Sequence, residues 1–200
     1  HPSRMIRALC REESRRGVTF RQARLDDADH ILSWLRSEQA QRNIHWRPLS
    51  VEHGRKRIRD WVEDPDSLTL IIKHNDRNVG FLQLEHWDEH RRLIWLSLIV
   101  MAPECIGRGL GTEALRLLMS CIRETQSIDR ILLAVNCDND RAVTAYRRLG
   151  FVHIDRKQHA HTNDGRNVDQ FIMECTIGWQ AHASSQSIGV HTHAPAHGGG

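Results

Sequence analysis

The sequence is poor in lysine and tyrosine, and it has no long apolar run. Its longest apolar stretch, Leu93 to Ala102, is interrupted by Ser97 and is about half as long as a bilayer-spanning helix. No apolar signal region precedes this stretch, so the pattern predicts a soluble, cytoplasmic protein without a membrane partner. The 28 basic and 25 acidic residues leave a formal charge of only +3. So small an excess gives no reason to expect a nucleic-acid partner.

The five cysteines are odd in number and include no Cys-x-x-Cys pair. This spacing excludes a zinc ribbon or a dithiol redox motif and favours reduced cysteines. Histidines near the carboxyl end could bind a transition metal, but flexible ligands without supporting hydrogen bonds make only weak sites. We therefore expect no specific metal site.

Arginine is far more abundant than lysine, with 25 arginines and 3 lysines in the chain. Arginine is the better planar partner for phosphate and carboxylate, so some of these residues could hold an anionic ligand. Residues 1–17 carry five arginines, and we expect a flexible basic arm there, either simply solvated or able to bind phosphate. Residues 178–200 are rich in His, Gly and Ser, a composition that predicts a disordered tail because it buries too little apolar surface.

Between these two ends, residues 18–177 show alternating strand and helix patterns typical of one domain. Two hundred residues with 40% apolar composition are enough for a single hydrophobic core. The patterns predict a strand, two helices, three strands, a helix, a strand, a helix and two strands. This order indicates a single-domain α+β fold with a mixed, seven-stranded sheet and about four flanking helices.

A glycine-rich segment, Ile106-Gly107-Arg108-Gly109-Leu110-Gly111-Thr112, separates a buried strand from an amphipathic helix. Glycines let the backbone approach a ligand closely, and the N–H groups at a helix start attract an anion such as phosphate. Alone, the segment is also compatible with a simple chain reversal or with a Rossmann dinucleotide site. A Rossmann fold requires further strand–helix crossovers, whereas this chain continues into a hairpin.

A second motif, Asn-x-x-Ala-x-x-x-Tyr-x-x-x-Gly-Phe, runs from Asn139 to Phe151. Asn139 and Tyr146 are two helical turns apart, so both project from the same face of one helix. Taken alone, Asn139 is compatible with a helix cap and Tyr146 with a half-buried aromatic residue. Gly150 stands where a left-handed residue would end the helix. The motif gains meaning from its place after the glycine-rich segment.

The two motifs and the element order make residues 18–177 resemble the GNAT superfamily of acyl-CoA-dependent N-acetyltransferases. The sequence Gly-Leu-Gly-Thr-Glu-Ala-Leu and the Asn-Asp-Gly-Arg hairpin are most similar to those of the branch that contains ribosomal-protein, polyamine and aminosugar acetyltransferases. The resemblance implies a mostly antiparallel sheet that splays between its fourth and fifth strands. It also implies acetyl-CoA as the co-substrate.

The resemblance further assigns roles to individual residues. The main chain of Ile99, Val100 and Met101 would pair with the pantetheine amides like an added strand. Asn139 would contact the pantetheine arm, and Tyr146 would be the general acid at the departing sulfur. The pyrophosphate would be held by Gly107, Arg108, Gly109, Leu110, Gly111 and Thr112, with Arg141, Arg147 and Arg148 near the nucleotide end.

The base that deprotonates the acceptor is harder to assign from the sequence. A lysine-like amine has a pKa of about 10.4 and must lose a proton before it can attack. Relatives often carry a glutamate at two strand positions that are Leu96 and Ala134 here. We expect Glu85, at the end of the third strand, to act as the base through water. The other candidates are His86, Asp88, Glu89, Glu104 and Asn136, and solvent is the remaining alternative.

The sequence thus predicts an N-acetyltransferase in which a primary amine attacks acetyl-CoA directly within a ternary complex. The acceptor would be a protein amino terminus or a small-molecule amine such as a polyamine, aminosugar or aminoglycoside, and the enzyme would be a monomer or a homodimer. The alternative is a non-catalytic acyl-CoA sensor of the same fold, which the absent glutamates make conceivable. We expect the acceptor side to be lined by Trp34, Trp46, Trp61, Glu38, Glu52, Glu63 and Asp64.

Overall fold

The computed structural model describes residues 2–161 and 165–177, so the predicted tail and most of the last hairpin turn lie outside it. The helices in this part of the chain are α1 (Pro2–Leu9), α2 (Ala28–Leu35), α3 (Glu38–Asn43), α4 (Val51–Glu63), α5 (Leu110–Thr125) and α6 (Asp140–Arg148). The strands are β1 (Val18–Gln22), β2 (Ser67–His74), β3 (Arg77–Asp88), β4 (Leu93–Met101), β5 (Arg130–Asn136), β6 (Val152–His161) and β7 (Asn167–Thr176). The helices of the described part are all too short or too polar to cross a membrane.

The seven strands form one sheet in the order β1-β2-β3-β4-β5-β7-β6. Every neighbouring pair is antiparallel except β4 and β5, which are parallel. This confirms the predicted fold class. The number of helices differs from the prediction of about four, because α1 and α3 are additional. Helix α3 has only six residues, too few for a hydrophobic period to show.

The structure corrects the expectation of a flexible arm for residues 2–9, which form α1. Met5 and Leu9 are at most 1% exposed, and α1 packs against α5. These two apolar residues lie one helical turn apart among arginines, so the apolar stripe is too short to recognise in the sequence. The Ser14 hydroxyl accepts hydrogen bonds from the N–H groups of Arg16 (3.2 Å) and Val18 (3.0 Å) and turns the chain into β1.

The parallel strands β4 and β5 separate after a short contact, as predicted. They pair only over Leu93–Trp95 and Arg130–Leu132. Residues 96–101 therefore have a strand neighbour on the β3 side alone. Ser97 forms a bulge, since its neighbours pair with successive residues of β3. A bulge bends a strand and increases its twist, and this one lies where the two strands begin to diverge.

Gly80 brings β3 unusually close to the far end of β4. A Cβ atom at this position would overlap the carbonyl oxygen of Val100 and lie 3.0 Å from the Cα atom of Met101. Only glycine therefore fits here without moving the neighbouring backbone. The close approach fixes the part of β4 that has no partner on its other side.

Candidate active site

A cleft of about 230 Å³ lies between the open edge of β4, the start of α5 and one face of α6. It brings together nearly all the residues that the sequence analysis assigns to cofactor binding. The exceptions are Arg108, Arg147 and Arg148, which are exposed and do not line the cleft. The predicted residues in the cleft wall are Ile99, Val100, Met101, Gly107, Gly109, Leu110, Gly111, Thr112, Asn139 and Tyr146.

The glycine loop presents its backbone to this cleft. Gly107 and Gly109 have φ angles of +81° and +76°, which favour glycine, and α5 begins directly after Gly109. The helix therefore includes the last three residues of the glycine-rich segment, Leu110 to Thr112. The N–H groups in its first turn have no acceptor within the helix, and the helix dipole adds partial positive charge there. These features suit the loop to binding an anion.

Two arginines flank the loop from elements distant in sequence. The Arg16 guanidinium donates a hydrogen bond to the carbonyl oxygen of Arg108 (3.2 Å) and lies beside Gly109. Arg141, in the first turn of α6, lies beside Gly107. In the described part of the chain, neither Arg16 nor Arg141 has a carboxylate partner. Their charges are therefore available to a phosphate-bearing ligand.

Helix α6 holds Asn139 and Tyr146 in the cleft wall through its two ends. Asn139 is the amino-terminal cap, and its side-chain oxygen accepts a hydrogen bond from the Ala142 N–H (3.3 Å). At the other end, Gly150 has a φ angle of +99°, and the Phe151 N–H donates to the carbonyl oxygen of Tyr146. This left-handed closure was predicted for Gly150. Asn139 thus has the structural role that the sequence allows, and it also lines the cleft.

Tyr146 is half-buried and packs against Phe151, with 5.7 Å between the ring centroids. Burial raises the pKa of Tyr146 to about 12, although part of the residue still faces the cleft. The phenol is therefore fully protonated at neutral pH. It can donate a hydrogen bond to an atom in the cleft.

A second cleft of about 630 Å³ lies between the separated ends of β4 and β5. Leu96 and Ala134 lie in its wall, so the two positions where relatives often carry glutamate face this cleft without an acid. Tyr146 lines both clefts and therefore lies at their junction. The other residues shared by the two clefts are Asn43, Ile44, Ile99 and Asn139.

The second cleft contains a buried amide group, that of Asn136, which the sequence suggested only as an alternative base. Asn136, at the end of β5, is 2% exposed. Its side-chain oxygen accepts hydrogen bonds from Gln170 Nε2 (3.3 Å) and from His45 Nε2 (2.6 Å). An amide is not a base, so Asn136 acts through hydrogen bonds. His45 and Asn136 are 91 residues apart, and no local pattern links them.

Glu85, the expected base, lines neither cleft. It is half-buried on β3, and its carboxylate accepts a hydrogen bond from the Ser97 hydroxyl (2.6 Å). Ser97 does line the second cleft, so Glu85 reaches the cleft only through this hydroxyl. His86, Asp88 and Glu89 lie with Glu85 around a different surface depression.

The acceptor side differs from the expected aromatic and acidic lining. Trp46 does line the second cleft and contacts Trp61, with ring centroids 5.2 Å apart. Trp34 instead belongs to the core, where it stacks on Phe81. In residues 2–161 and 165–177, no carboxylate lines the second cleft. The expected acids, Glu38, Glu52, Glu63 and Asp64, all lie elsewhere on the surface.

The cysteines offer no obvious nucleophile to this site. All five are free thiols. Cys105 lies in the wall of the first cleft but is buried, and Cys137 lines neither cleft. Burial raises the pKa of the Cys137 thiol, which lowers its thiolate fraction. Among the described residues, no group of three His, Cys, Asp or Glu side chains could hold a metal ion.

The sequence of this chain matches those of known acetyltransferases. A model of the acetyltransferase (GNAT) domain matches residues 18–152, which include every residue of the first cleft. The alpha/beta-tubulin-N-acetyltransferase 9 of Homo sapiens is 25% identical over 144 residues, which cover 64% of this chain and 70% of the human protein. A mycothiol acetyltransferase of Corynebacterium efficiens is 30% identical over 130 residues, which cover 62% of this chain and 41% of that protein.

Solved structures of low sequence identity share the fold. A spermidine N-acetyltransferase from Vibrio cholerae, in complex with CoA and spermine, superposes with a TM-score of 0.71 at 19% identity. The match covers 80% of this chain and 95% of the Vibrio chain. The ribosomal-protein alpha-N-acetyltransferase RimL, without ligand, gives a TM-score of 0.69 at 17% identity over 80% of this chain and 90% of its own.

Proposed function

Because the chain belongs to the family of acetyltransferase (GNAT) domains, we propose that it transfers the acetyl group of acetyl-CoA to a primary amine. The amine attacks directly within a ternary complex. The observation that carries this proposal is the position of Tyr146 at the junction of the two clefts. One cleft has the features that CoA requires, and the other lets an acceptor reach the same point.

The first cleft suits successive parts of acetyl-CoA, which supplies an activated thioester. The open edge of β4 offers unpaired main-chain groups to the pantetheine amides, as in strand addition. The N–H groups of the glycine loop bind the pyrophosphate, and Arg16 and Arg141 balance its charge. The missing Cβ atoms of Gly107 and Gly109 leave room for the ligand beside these guanidinium groups.

Replacing Arg16 by alanine is expected to weaken CoA binding about fivefold, because an exposed charge-assisted contact to phosphate is lost. Isothermal titration with CoA measures the change. The exposed Arg11 is the matched control, since it lies on the same segment without a contact to the loop. Equal weakening by Arg11→Ala, or unchanged affinity in Arg16→Ala, would remove Arg16 from the proposed site.

The acetyl group moves to the amine while the carbon–sulfur bond breaks. The amine nitrogen bonds to the carbonyl carbon, and N–H groups on the open edge of β4 stabilise the oxyanion, at roughly 3 kcal/mol for a preorganised donor. One proton leaves the nitrogen, and one proton reaches the sulfur. Because a CoA-like thiol has a pKa near 8.5, full transfer from Tyr146, with its pKa of about 12, is uphill. Tyr146 therefore acts mainly by donating a hydrogen bond to the sulfur as the negative charge develops, and the departing thiolate takes its proton from water.

The proton on the attacking amine requires a second group. We propose that the Ser97 hydroxyl passes this proton to Glu85, since it lines the acceptor cleft and donates to that carboxylate. The proton then leaves through the solvent-accessible end of β3. This relay replaces the glutamates that Leu96 and Ala134 do not provide.

Glu85→Gln and Ser97→Ala are each expected to lower kcat/KM at pH 7 by about 100-fold, within the range for general bases. The deficit should narrow as the pH approaches the amine pKa, because the amine then loses its proton unaided. The double variant should be no worse than either single variant, since both residues belong to one relay. The measurement is kcat/KM between pH 6 and 10. Losses that add together, or that stay constant with pH, would contradict the relay, and Glu124→Gln serves as a control on α5.

The alternative, a non-catalytic acyl-CoA sensor, is separated from the enzyme by a direct assay. Thiol release from acetyl-CoA is followed with a panel of amines that includes peptides, spermidine, aminosugars and aminoglycosides. Release that depends on an added amine supports the acetyltransferase. Tight binding of acetyl-CoA without release for any amine would support the sensor.

A further inference from the structure

The second cleft has a positive rather than a negative lining. Lys157 brings a positive charge to it, and no carboxylate among the described residues lines it. Two carboxylates on strands of the sheet, Asp169 and Glu85, have partners of their own. Asp169 is paired with Arg156, at 2.7 Å. Glu85 accepts the hydrogen bond of Ser97 behind the cleft wall.

A row of polar side chains crosses the sheet at this level. Lys157 on β6 is in register with Gln170 on β7, and Gln170 is in register with Asn136 on β5. Two strand spacings separate the ends of the row, or about 10 Å. The Lys157 ammonium, on its flexible stem, therefore lies within reach of a group bound over Asn136. Within the described residues, Lys157 has no ion-pair partner.

The buried end of this row contains an unused hydrogen-bond donor. Among the described residues, the Asn136 side-chain nitrogen has no hydrogen-bond partner, although Asn136 is 2% exposed and lines the cleft. A buried N–H group without an acceptor is costly, and a ligand that brings an oxygen atom recovers this cost. The oxygen of the same amide is already engaged with His45 and Gln170. The cleft lining therefore favours a ligand that carries hydrogen-bond acceptors.

On the basis of the acetyltransferase function above, we propose that the acceptor is an amine with carbonyl oxygens and a negative charge close to it. The amino end of a peptide with an acidic second residue has this chemistry. Its first carbonyl oxygen accepts from Asn136, and its acidic side chain pairs with Lys157. A free acidic amino acid shares the same groups and is distinguished by the test.

A polyamine does not fit this lining. Its ammonium and methylene groups offer no acceptor to Asn136, and Lys157 repels its charges. The cleft thus differs in charge from the expectation of a cationic acceptor in an acidic site, even though the chain shares its fold with a spermidine acetyltransferase.

The test compares tetrapeptide amides that differ only in a second residue of Glu, Gln or Lys, together with free glutamate and spermidine. At fixed acetyl-CoA, kcat/KM is expected to fall about fivefold from the Glu to the Gln peptide and about 20-fold to the Lys peptide. Calorimetric binding of the same peptides to the CoA-loaded protein should give the same order. Lys157→Glu should reverse the order, and Lys157→Arg should keep it. Lys56→Glu makes the same charge change on α4, where Lys56 pairs with Asp60, and should leave the order unchanged.

Three results would overturn the assignment, and a fourth would identify a free amino acid as the acceptor. Spermidine turnover equal to that of the Glu peptide, or an unchanged order in Lys157→Glu, overturns the charge selectivity and leaves the acetyltransferase intact. Intact CoA binding without turnover of any amine overturns the acetyltransferase and this inference together. Turnover of free glutamate equal to that of the Glu peptide supports the inference with a small amino acid as the source.

Discussion

Replacing Tyr146 by phenylalanine is expected to lower kcat by about 100-fold while the Kd for CoA changes by less than about twofold. The change removes one oxygen atom, and the ring keeps its packing against Phe151. The lost hydrogen bond matters most when charge builds on the departing sulfur, so it stabilises the transition state more than bound acetyl-CoA. Thiol release at saturating substrates gives kcat, and calorimetry gives the Kd.

A matched control removes a hydroxyl elsewhere on the same helix. Thr144 is exposed on α6, and Thr144→Val should leave both quantities near the parental values. If Tyr146→Phe weakened CoA binding as much as it slowed turnover, the tyrosine would have a packing role only. An unchanged kcat would exclude Tyr146 as the group beside the sulfur.

Gly80→Ala is expected to destabilise the fold by about 2–3 kcal/mol, in the range for overpacked sites, and to abolish most CoA affinity. The added Cβ atom would meet the backbone of Val100 and Met101, which cannot rotate away as a side chain can. Strand β4 must therefore shift at the segment proposed to pair with pantetheine. Urea unfolding measures the stability, and titration with CoA at low temperature measures binding to the folded fraction.

Gly54→Ala separates loss of stability from loss of the site. Gly54 is buried on α4, and its added Cβ atom would press on the Leu32 side chain, 2.6 Å away, at the contact with α2. This variant should lose stability and still bind CoA with parental affinity. If Gly80→Ala also bound CoA normally, the edge of β4 would not be the pantetheine site.

The parts of the fold that the sequence predicts are those encoded by neighbouring residues. The glycine loop, the cap at Asn139 and the closure at Gly150 depend on contacts within a few residues, and all three occur as expected. The divergence of β4 and β5 was implied by the family resemblance. The bulge at Ser97 lies at the same place, and no local sequence pattern predicts it.

The parts that the sequence does not predict depend on distant pairs and on the side a residue faces. Arg16 reaches a loop 92 residues away, and His45 meets Asn136 across a similar separation. The charge of the acceptor cleft was predicted with the wrong sign, because Glu38 and Glu52 were assigned to it from their position on helices. Both glutamates instead form exposed ion pairs on their own helices, Glu38 with Arg42 and Glu52 with Arg55.

The docking of α1 links the start of the chain to the glycine loop. The buried side chains of Met5 and Leu9 anchor α1 in the core, and the Arg16 guanidinium donates a hydrogen bond to the carbonyl oxygen of Arg108 in the loop. If Arg16 holds the ligand as proposed, ligand binding and the docking of α1 are thermodynamically coupled. A ligand that binds through Arg16 would then also stabilise the docked position of α1. By the same coupling free energy, the docking of α1 would raise the affinity for the ligand.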